Sequence, residues 1–235
     1  MWPFRRKQSL LESGIFQGFT DYHCHILPGV DDGLRTIEDA LAVLAYYEGL
    51  GISQVWLTPH VMEDIPNTTE NLKEQYNKLV EAYQGRIQLH LAAEYMLDPL
   101  FDERLKAGDL LPVGKDRNHL LVETSYYNAP AGLIHTLEEI KAKGYYPVLA
   151  HPERYRYMED KDYDRLHQMG VKFQLNLPAL AGMYSPNSQK AAQRLLKKGY
   201  YTIAGTDLHT LGSFKRAIGE DNIHQSLQIN ELKSI

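Results

Sequence analysis

Seven short apolar runs recur along this chain, and all but one of them carry histidine, aspartate or glutamate at or just beyond the carboxyl end. They cover residues 18–25, 52–58, 86–94, 120–124, 146–150, 171–177 and 200–204. Runs of this length, bounded by glycine, proline and aspartate, read as buried strands. Between several of them the apolar spacing changes to that of a helix. Ile37, Ala40, Leu41, Leu44 and Ala45 share one face, and so do Leu72, Tyr76, Leu79, Val80 and Tyr83. A third helix carries Leu133, Ile134, Leu137 and Ile140 and stops at Gly144, and a fourth carries Ala191, Ala192, Leu195 and Leu196 before Gly199. This alternation is the pattern of a parallel α/β sheet or barrel, and a doubly wound open sheet fits it equally well. Both architectures collect functional groups at the carboxyl ends of their strands.

Composition narrows the class. A chain of 235 residues with 43% hydrophobic and 23% charged residues can bury a sizeable core, which excludes disordered and fibrous classes. The formal net charge of -5 argues against a nucleic-acid-coating surface. One cysteine, Cys24, excludes a disulfide framework and any zinc site built on several thiolates. No apolar run is long enough to span a bilayer, and the start, residues 1–7, lacks the apolar stretch of a signal peptide. A cytoplasmic, enzyme-sized domain is the expectation.

The ends of the seven runs share one chemistry. They deliver Asp21-Tyr22-His23-Cys24-His25, then Thr58-Pro59-His60, then Glu94, Glu123 and His151-Pro152-Glu153-Arg154; the sixth ends in Asn176, and the seventh runs into Gly205-Thr206-Asp207-Leu208-His209. Residues two apart on a strand point the same way, so His23 and His25 are placed to clasp one ion, and Asp207 and His209 another. Imidazole with carboxylate suits zinc, manganese or iron. Six or seven such groups exceed the needs of one ion, so two or three ions bridged by Glu94 or Glu123 are expected. Each group alone has an ordinary reading, as a helix cap, an ion pair or a satisfied loop histidine. Their joint placement on one face does not. His90, His119, His135, His167 and His224 fall at strand starts or within helical segments and are not expected to be ligands.

Cys24 fails as a nucleophile, because a cysteine-dependent phosphatase needs an arginine six positions on, where this chain has Val30. A small buried hydrophobe is the favoured reading. Arg154, three residues past His151, presents forked donors that match phosphate oxygens, with an ion pair to a pocket carboxylate as the competing role. Tyr126, Tyr127, Tyr155 and Tyr157 follow site residues closely enough to line its mouth.

Asp21-x-His23-x-His25, Val30-Asp31-Asp32-Gly33, Thr58-Pro59-His60, Glu94, Glu123, His151-Pro152-Glu153-Arg154 and Gly205-Thr206-Asp207-x-His209 occur in that order. Together they resemble the polymerase-and-histidinol-phosphatase (PHP) superfamily, and more narrowly its CpsB/YwqE-like bacterial tyrosine-phosphatase branch, over residues 19–214. The resemblance implies an α/β fold, a distorted (β/α)7 TIM-like barrel in a single domain over residues 19–235. Residues 1–18 are then an N-terminal extension without a counterpart. It implies a centre of two or three divalent ions (manganese, iron or zinc) on His23, His25, Asp32, His60, Glu94, Glu123, His151, Asp207 and His209. Asp32 comes from the resemblance alone. Arg154 is implied as the phosphate-binding residue, and Arg154, His151 and Asp207 as the catalytic set. Relatives often carry a second arginine beyond the last ligand; here that stretch reads Gly212-Ser213-Phe214-Lys215-Arg216, which leaves Lys215 or Arg216 as its replacement.

The implied activity is hydrolysis of phosphotyrosine by a metal-activated hydroxide, with a metal-bound water or His151 as the candidate general acid. The implied partner is a membrane-linked tyrosine kinase governing capsular or exopolysaccharide synthesis. Another PHP phosphoesterase, acting on histidinol phosphate or a small phosphomonoester, and a non-enzymatic metal-binding regulatory module are the alternatives.

Overall fold

A computed structural model describes residues 7–220 and 223–224. In chain order the elements are β1 (Lys7–Gln8), β2 (Thr20–Cys24), α1 (Ile37–Leu50), β3 (Gln54–Leu57), β4 (His60–Val61), α2 (Thr69–Ala82), β5 (Gln88–Leu91), β6 (Glu94–Met96), α3 (Pro99–Ala107) and β7 (His119–Glu123). There follow α4 (Leu133–Ala142), β8 (Tyr146–Ala150), a 3-10 turn (Pro152–Arg154), α5 (Asp160–Gln168), β9 (Lys172–Asn176), α6 (Leu177–Leu180), α7 (Pro186–Lys197), β10 (Tyr201–Gly205), α8 (Leu211–Gly219) and β11 (Ile223–His224). Helices begin where the sequence supplies an acceptor for their unpaired N–H groups. Thr36, Thr68, Asp98, Ser185 and Thr210 each accept from the backbone N–H three residues on.

Two of the seven expected strands are broken. Residues 52–58 give β3, then Thr58-Pro59, then β4; residues 86–94 give β5, then Ala92-Ala93, then β6. Each half pairs in a different sheet, β2-β3-β5 on one side and β10-β9-β8-β7-β6-β4 on the other, all parallel. Pro59 has no N–H for a ladder, and the kink it enforces carries the chain from one sheet to the other. The neighbouring segment follows it, with Ala92 N–H on the Leu57 carbonyl at 2.9 Å and Glu94 N–H on the Pro59 carbonyl at 3.0 Å.

With each broken pair counted once, seven strand positions form a ring. Its ends meet where Asp207 N–H donates to the His23 carbonyl at 2.8 Å and His25 N–H to the Leu208 carbonyl at 2.9 Å. The parallel α/β architecture is the expected one, its two sheets joined at this seam by backbone bonds. Tyr22, Trp56, Leu121, Val148, Ala150 and Ile203, from five of the strands, fill an inner cluster, while a larger layer packs the helices against the outside. Burying these side chains contributes about 1.5–3 kcal/mol each. In the segment before β2, Leu10, Ile15 and Phe16 join that outer layer, and β1 pairs antiparallel with β11. Residues 1–6 lie outside the described part. Among the described residues no helix is long and apolar enough to cross a membrane.

Candidate metal centre

Every expected ligand lies at the carboxyl end of the ring. His23 is the next-to-last residue of β2 with His25 just beyond its end, His60 opens β4, Glu94 opens β6, and Glu123 closes β7. His151 follows β8, while Asp207 and His209 follow β10. His23, His25, Glu94, Glu123, His151 and Asp207 are buried, whereas the Asp32 side chain is 66% exposed and reaches in from the loop after β2.

Glu94 is the centre of the cluster. Its Oε2 lies 3.1 Å from His23 Nε2, 3.1 Å from His60 Nδ1 and 3.4 Å from His25 Nε2, and Oε1 lies 3.0 Å from His151 Nε2. Glu123 sits 3.1 Å from His60 Nδ1, and Asp207 Oδ1 sits 3.4 Å from His25 Nε2. These atoms define four overlapping groups with the spacing of metal ligands. They are His25–Asp32–His60–His209, His23–His25–Asp207, His23–Glu94–His151 and His60–Glu94–Glu123. Asp207 and His209, expected to share one ion, fall in two groups that have His25 in common, and Asp207 Oδ1 lies 3.4 Å from His209 Nδ1. Asp207 has a φ of 51°, so strand alternation ends before the pair begins. His151, at φ 33°, is likewise turned out of its strand. Such backbone strain is maintained only where surrounding structure fixes it.

The residues present fit metal ions. Glu94 Oε2 and His60 Nδ1 are buried and make no hydrogen bond, although they lie 3.1 Å apart. His23 Nε2 and His25 Nε2 face each other at 3.2 Å, inside a shell where neither is solvated. Buried polar atoms without partners are costly, and a shared cation satisfies several of them together. The electrostatics agree. Burial lowers the His23 pKa, but the Glu94 and Asp207 carboxylates outweigh it and push it up to about 9. Burial raises the Glu94 pKa, yet His23 and His60 hold it well below the usual carboxylate range. Asp32 is drawn down to about 2, chiefly by His209.

A supporting layer fixes the imidazoles. Gln174 Oε1 accepts from His23 Nδ1 at 2.9 Å and from His151 N–H at 3.1 Å. Asp31 Oδ2 lies 2.8 Å from His25 Nδ1 and accepts from His60 N–H at 3.1 Å. Both arrangements leave Nε2 free to face the cluster. Asp21 accepts from Thr206 N–H and hydroxyl and from Tyr47 hydroxyl at 2.7–3.0 Å, tying β2 to the loop after β10. Gly33 and Gly205 are required by contact: a Cβ at Gly33 would stand 2.6 Å from His25 Cβ, and one at Gly205 2.4 Å from His23 Cβ. Gln174, Asp31 and Gly205 were not singled out from the sequence as site groups. An amide inside a strand of apolar neighbours (Lys172–Asn176) was the available signal for Gln174.

Arg154 makes the ion pair expected as its competing role. It donates to Asp207 Oδ2 at 2.7 Å, and its guanidinium lies 4.3 Å from the Tyr126 ring centroid and 4.2 Å from that of Tyr184. Asn176 also donates to Asp207 Oδ2, at 2.7 Å, which explains the sixth strand's neutral end. A cavity of about 290 Å³ opens over Asp32, Asp207, His209, Arg154 and Tyr184. Tyr126, Tyr127 and Tyr155 border an adjoining cavity, and the hydroxyls of Tyr155 and Tyr157 are held by the Ala150 carbonyl and Thr124. Tyr184 was missed. Lys215 lies over Tyr46, and neither it nor Arg216 lines these cavities.

Cys24 is fully buried, its thiol directed to the Trp56 carbonyl at 3.4 Å and its pKa pushed well up by burial. His90, His119, His135 and His167 join none of the four groups; the His224 side chain lies outside the described part.

Residues 19–225 match the family model described as capsular polysaccharide synthesis, CpsB/CapC. The chain belongs to the CpsB/CapC family. Among similar proteins, the tyrosine-protein phosphatase YwqE of Bacillus subtilis (strain 168) is 27% identical over 199 residues, covering 81% of this chain and 77% of its own. The tyrosine-protein phosphatase CpsB of Streptococcus pneumoniae is 29% identical over 212 residues, covering 82% and 84%. The fold matches crystal structures of YwqE and CpsB, described as metal-dependent tyrosine phosphatases, with a TM-score of 0.78 at 22% identity over 90% of this chain and 85% of that one. A lactonase from Listeria monocytogenes shares the fold more loosely, with a TM-score of 0.55 at 12% identity over 94% and 87%.

Proposed function

We propose that this chain is a metal-dependent protein-tyrosine phosphatase. The observation that carries the reading is Glu94 Oε2, buried without a hydrogen bond and ringed by nitrogens of three histidines. His23, His25, Asp32, His60, Glu94, Glu123, His151, Asp207 and His209 would hold two or three divalent ions, with manganese, iron or zinc suited to this donor set. Bound there, divalent ions supply Lewis acidity and an activated water for attack on phosphorus.

The chain's own residues divide the remaining work. Arg154 keeps its charge and points donors across the cavity mouth, where it binds and orients a phosphoryl group. Asp207 holds Arg154 with one oxygen and faces the cluster with the other. Tyr126 and Tyr184 clamp the guanidinium and offer ring faces to a phosphotyrosine ring. Burial, then Arg154, lowers the His151 pKa, which favours His151 as a neutral ligand over a proton donor. A tyrosine phenolate, with a pKa near ~10, leaves with little need of one. The substrate in this reading is a phosphotyrosine segment of a membrane-linked kinase that governs capsule or exopolysaccharide synthesis, met in the cytoplasm.

Hydrolysis of a phosphotyrosine peptide by metal-reconstituted protein tests the reading. Chelation should abolish turnover and added manganese, iron or zinc restore it, Cys24→Ser should keep most of it, and Arg154→Ala should lower efficiency at least about tenfold. Turnover that survives chelation but fails in Cys24→Ser would overturn the metal mechanism.

A further inference from the structure

A cavity of about 710 Å³ adjoins the mouth of the metal centre, and Arg154 and Tyr184 form the wall between the two. Its lining includes Arg154, Arg156, Lys190 and Arg194, in a chain whose formal net charge is -5. Glu153, which also borders it, offsets that charge only in part. Its carboxylate is buried, accepts from Asn176 N–H at 2.9 Å and Tyr201 hydroxyl at 2.8 Å, and burial pushes its pKa up to about 7. The amino end of α7, at Ser185, Asn187 and Ser188, adds the positive pole of a helix to the same wall. A concave positive surface in an acidic protein concentrates field on anions.

Arg156 repeats the arrangement of Arg154. Its guanidinium lies 4.8 Å from the Tyr127 ring centroid, beside the Arg154–Tyr126 pair at 4.3 Å. Stacking fixes a guanidinium's plane and leaves its edge donors free. Arg154 commits a donor to Asp207, and Arg194 lies 2.8 Å from Asp160. Among the described residues, Arg156 and Lys190 make no ion pair.

We propose that this cavity holds a second anionic group of the substrate, a carboxylate or phosphoryl a few residues from the target phosphotyrosine, read by Arg156 and Lys190. The inference rests on the phosphatase reading and names its substrate class: tyrosine-phosphorylated segments with acidic or further phosphorylated neighbours. Both cations are solvent-exposed, so their contribution is moderate and screened by salt, and it falls on substrate binding.

Three phosphotyrosine peptides of equal length, flanked by alanine, by glutamate or by a second phosphotyrosine, compared with p-nitrophenyl phosphate, provide the test. The anionic peptides should exceed the alanine peptide about threefold to tenfold in kcat/KM, through KM, with the gap closing at high salt. The glutamate and phosphotyrosine arms show which anion is read. Arg156→Ala/Lys190→Ala should erase the gap without changing p-nitrophenyl phosphate turnover, and Arg156→Lys should keep part of it. Equal efficiency on all three peptides, or a loss in the double variant shared by p-nitrophenyl phosphate, would overturn the proposal. Should the wild type turn over no aryl phosphate, the phosphatase reading itself fails. Non-hydrolysable phosphonate versions of the peptides, titrated by fluorescence anisotropy, still decide this one: anionic peptides binding no tighter than the alanine peptide would overturn it.

Discussion

Histidine meets opposite surroundings at the two ends of the ring. At the carboxyl end His23 and His25 stand among Glu94, Asp207 and Asp31, which overcome burial and raise their pKa values. Near the amino end His90 stacks on Trp56 at 4.6 Å with Arg117 over the same indole, and His119 Nε2 lies 2.5 Å from Lys172 Nζ. There burial and the cation act together, and His119 falls to about 4. One end therefore gathers anions that call for cations, while the other keeps its imidazoles neutral. Residue type alone does not separate the two sets; the charge of the neighbours does.

The most forceful way to break this contrast is to remove the central anion. Glu94→Gln should cost at least about a hundredfold in metal affinity and phosphotyrosine turnover, beyond what a supporting residue costs. His119→Gln should change neither more than about twofold. Metal content and turnover measured on both proteins decide it, and equal losses would erase the distinction between the two ends.

A sharper version leaves every ligand in place. Gln174→Leu keeps the size of the side chain but removes the acceptor for His23 Nδ1, so metal affinity or activity should fall about tenfold to a hundredfold. Competition against a chelator would show it, and wild-type affinity would mean that His23 needs no such support.

The smallest effect belongs to the amino end. The folded-state pKa of His119, about 4, lies below its ordinary 6.5. As pH falls from 6.5 toward 4, the unfolded chain takes up a proton that the folded one refuses, and stability drops on the order of 1–2 kcal/mol. Stability from this group is complete above pH 6.5 and rises with pH across that window. Urea titrations of wild type and His119→Leu should diverge only there; parallel curves from pH 7 to 4 would show that His119 does not titrate this way.

Much of the centre was legible in the sequence because ligands sit where strands end, and strand ends announce themselves by glycine and proline. What was not legible depends on backbone turns and on neighbours far along the chain. The split of residues 86–94 into two strands is invisible in Leu89, Leu91, Ala92 and Ala93, which read as one apolar run. Helix α5 escaped notice because its sequence DKDYDRLHQ is polar and buries only Tyr163 and Leu166. Strand alternation does not govern Asp207 and His209, because the backbone at Asp207 is left-handed; it is that turn which sets Asp207 Oδ1 and His209 Nδ1 3.4 Å apart. Tyr184 could not be placed at the Arg154 wall from spacing, since thirty positions separate them. Residues 19–235 as one domain, with 1–18 an extension, is an organisation we still propose, and a protein lacking residues 1–18 would test it through its folding.

The junction between the first and last strands of the ring joins segments that are distant along the chain. Asp21 and Thr206 are 185 positions apart, and His23, His25, Asp207 and His209 come from the same two distant segments. Bringing such ends together costs on the order of 4–5 kcal/mol of chain entropy by loop-closure scaling. A template of intervening strands that holds the ends near each other would lower that cost. An ion held by these four residues would act as a clasp on the junction, and a chain lacking its last strand would have no such clasp to close.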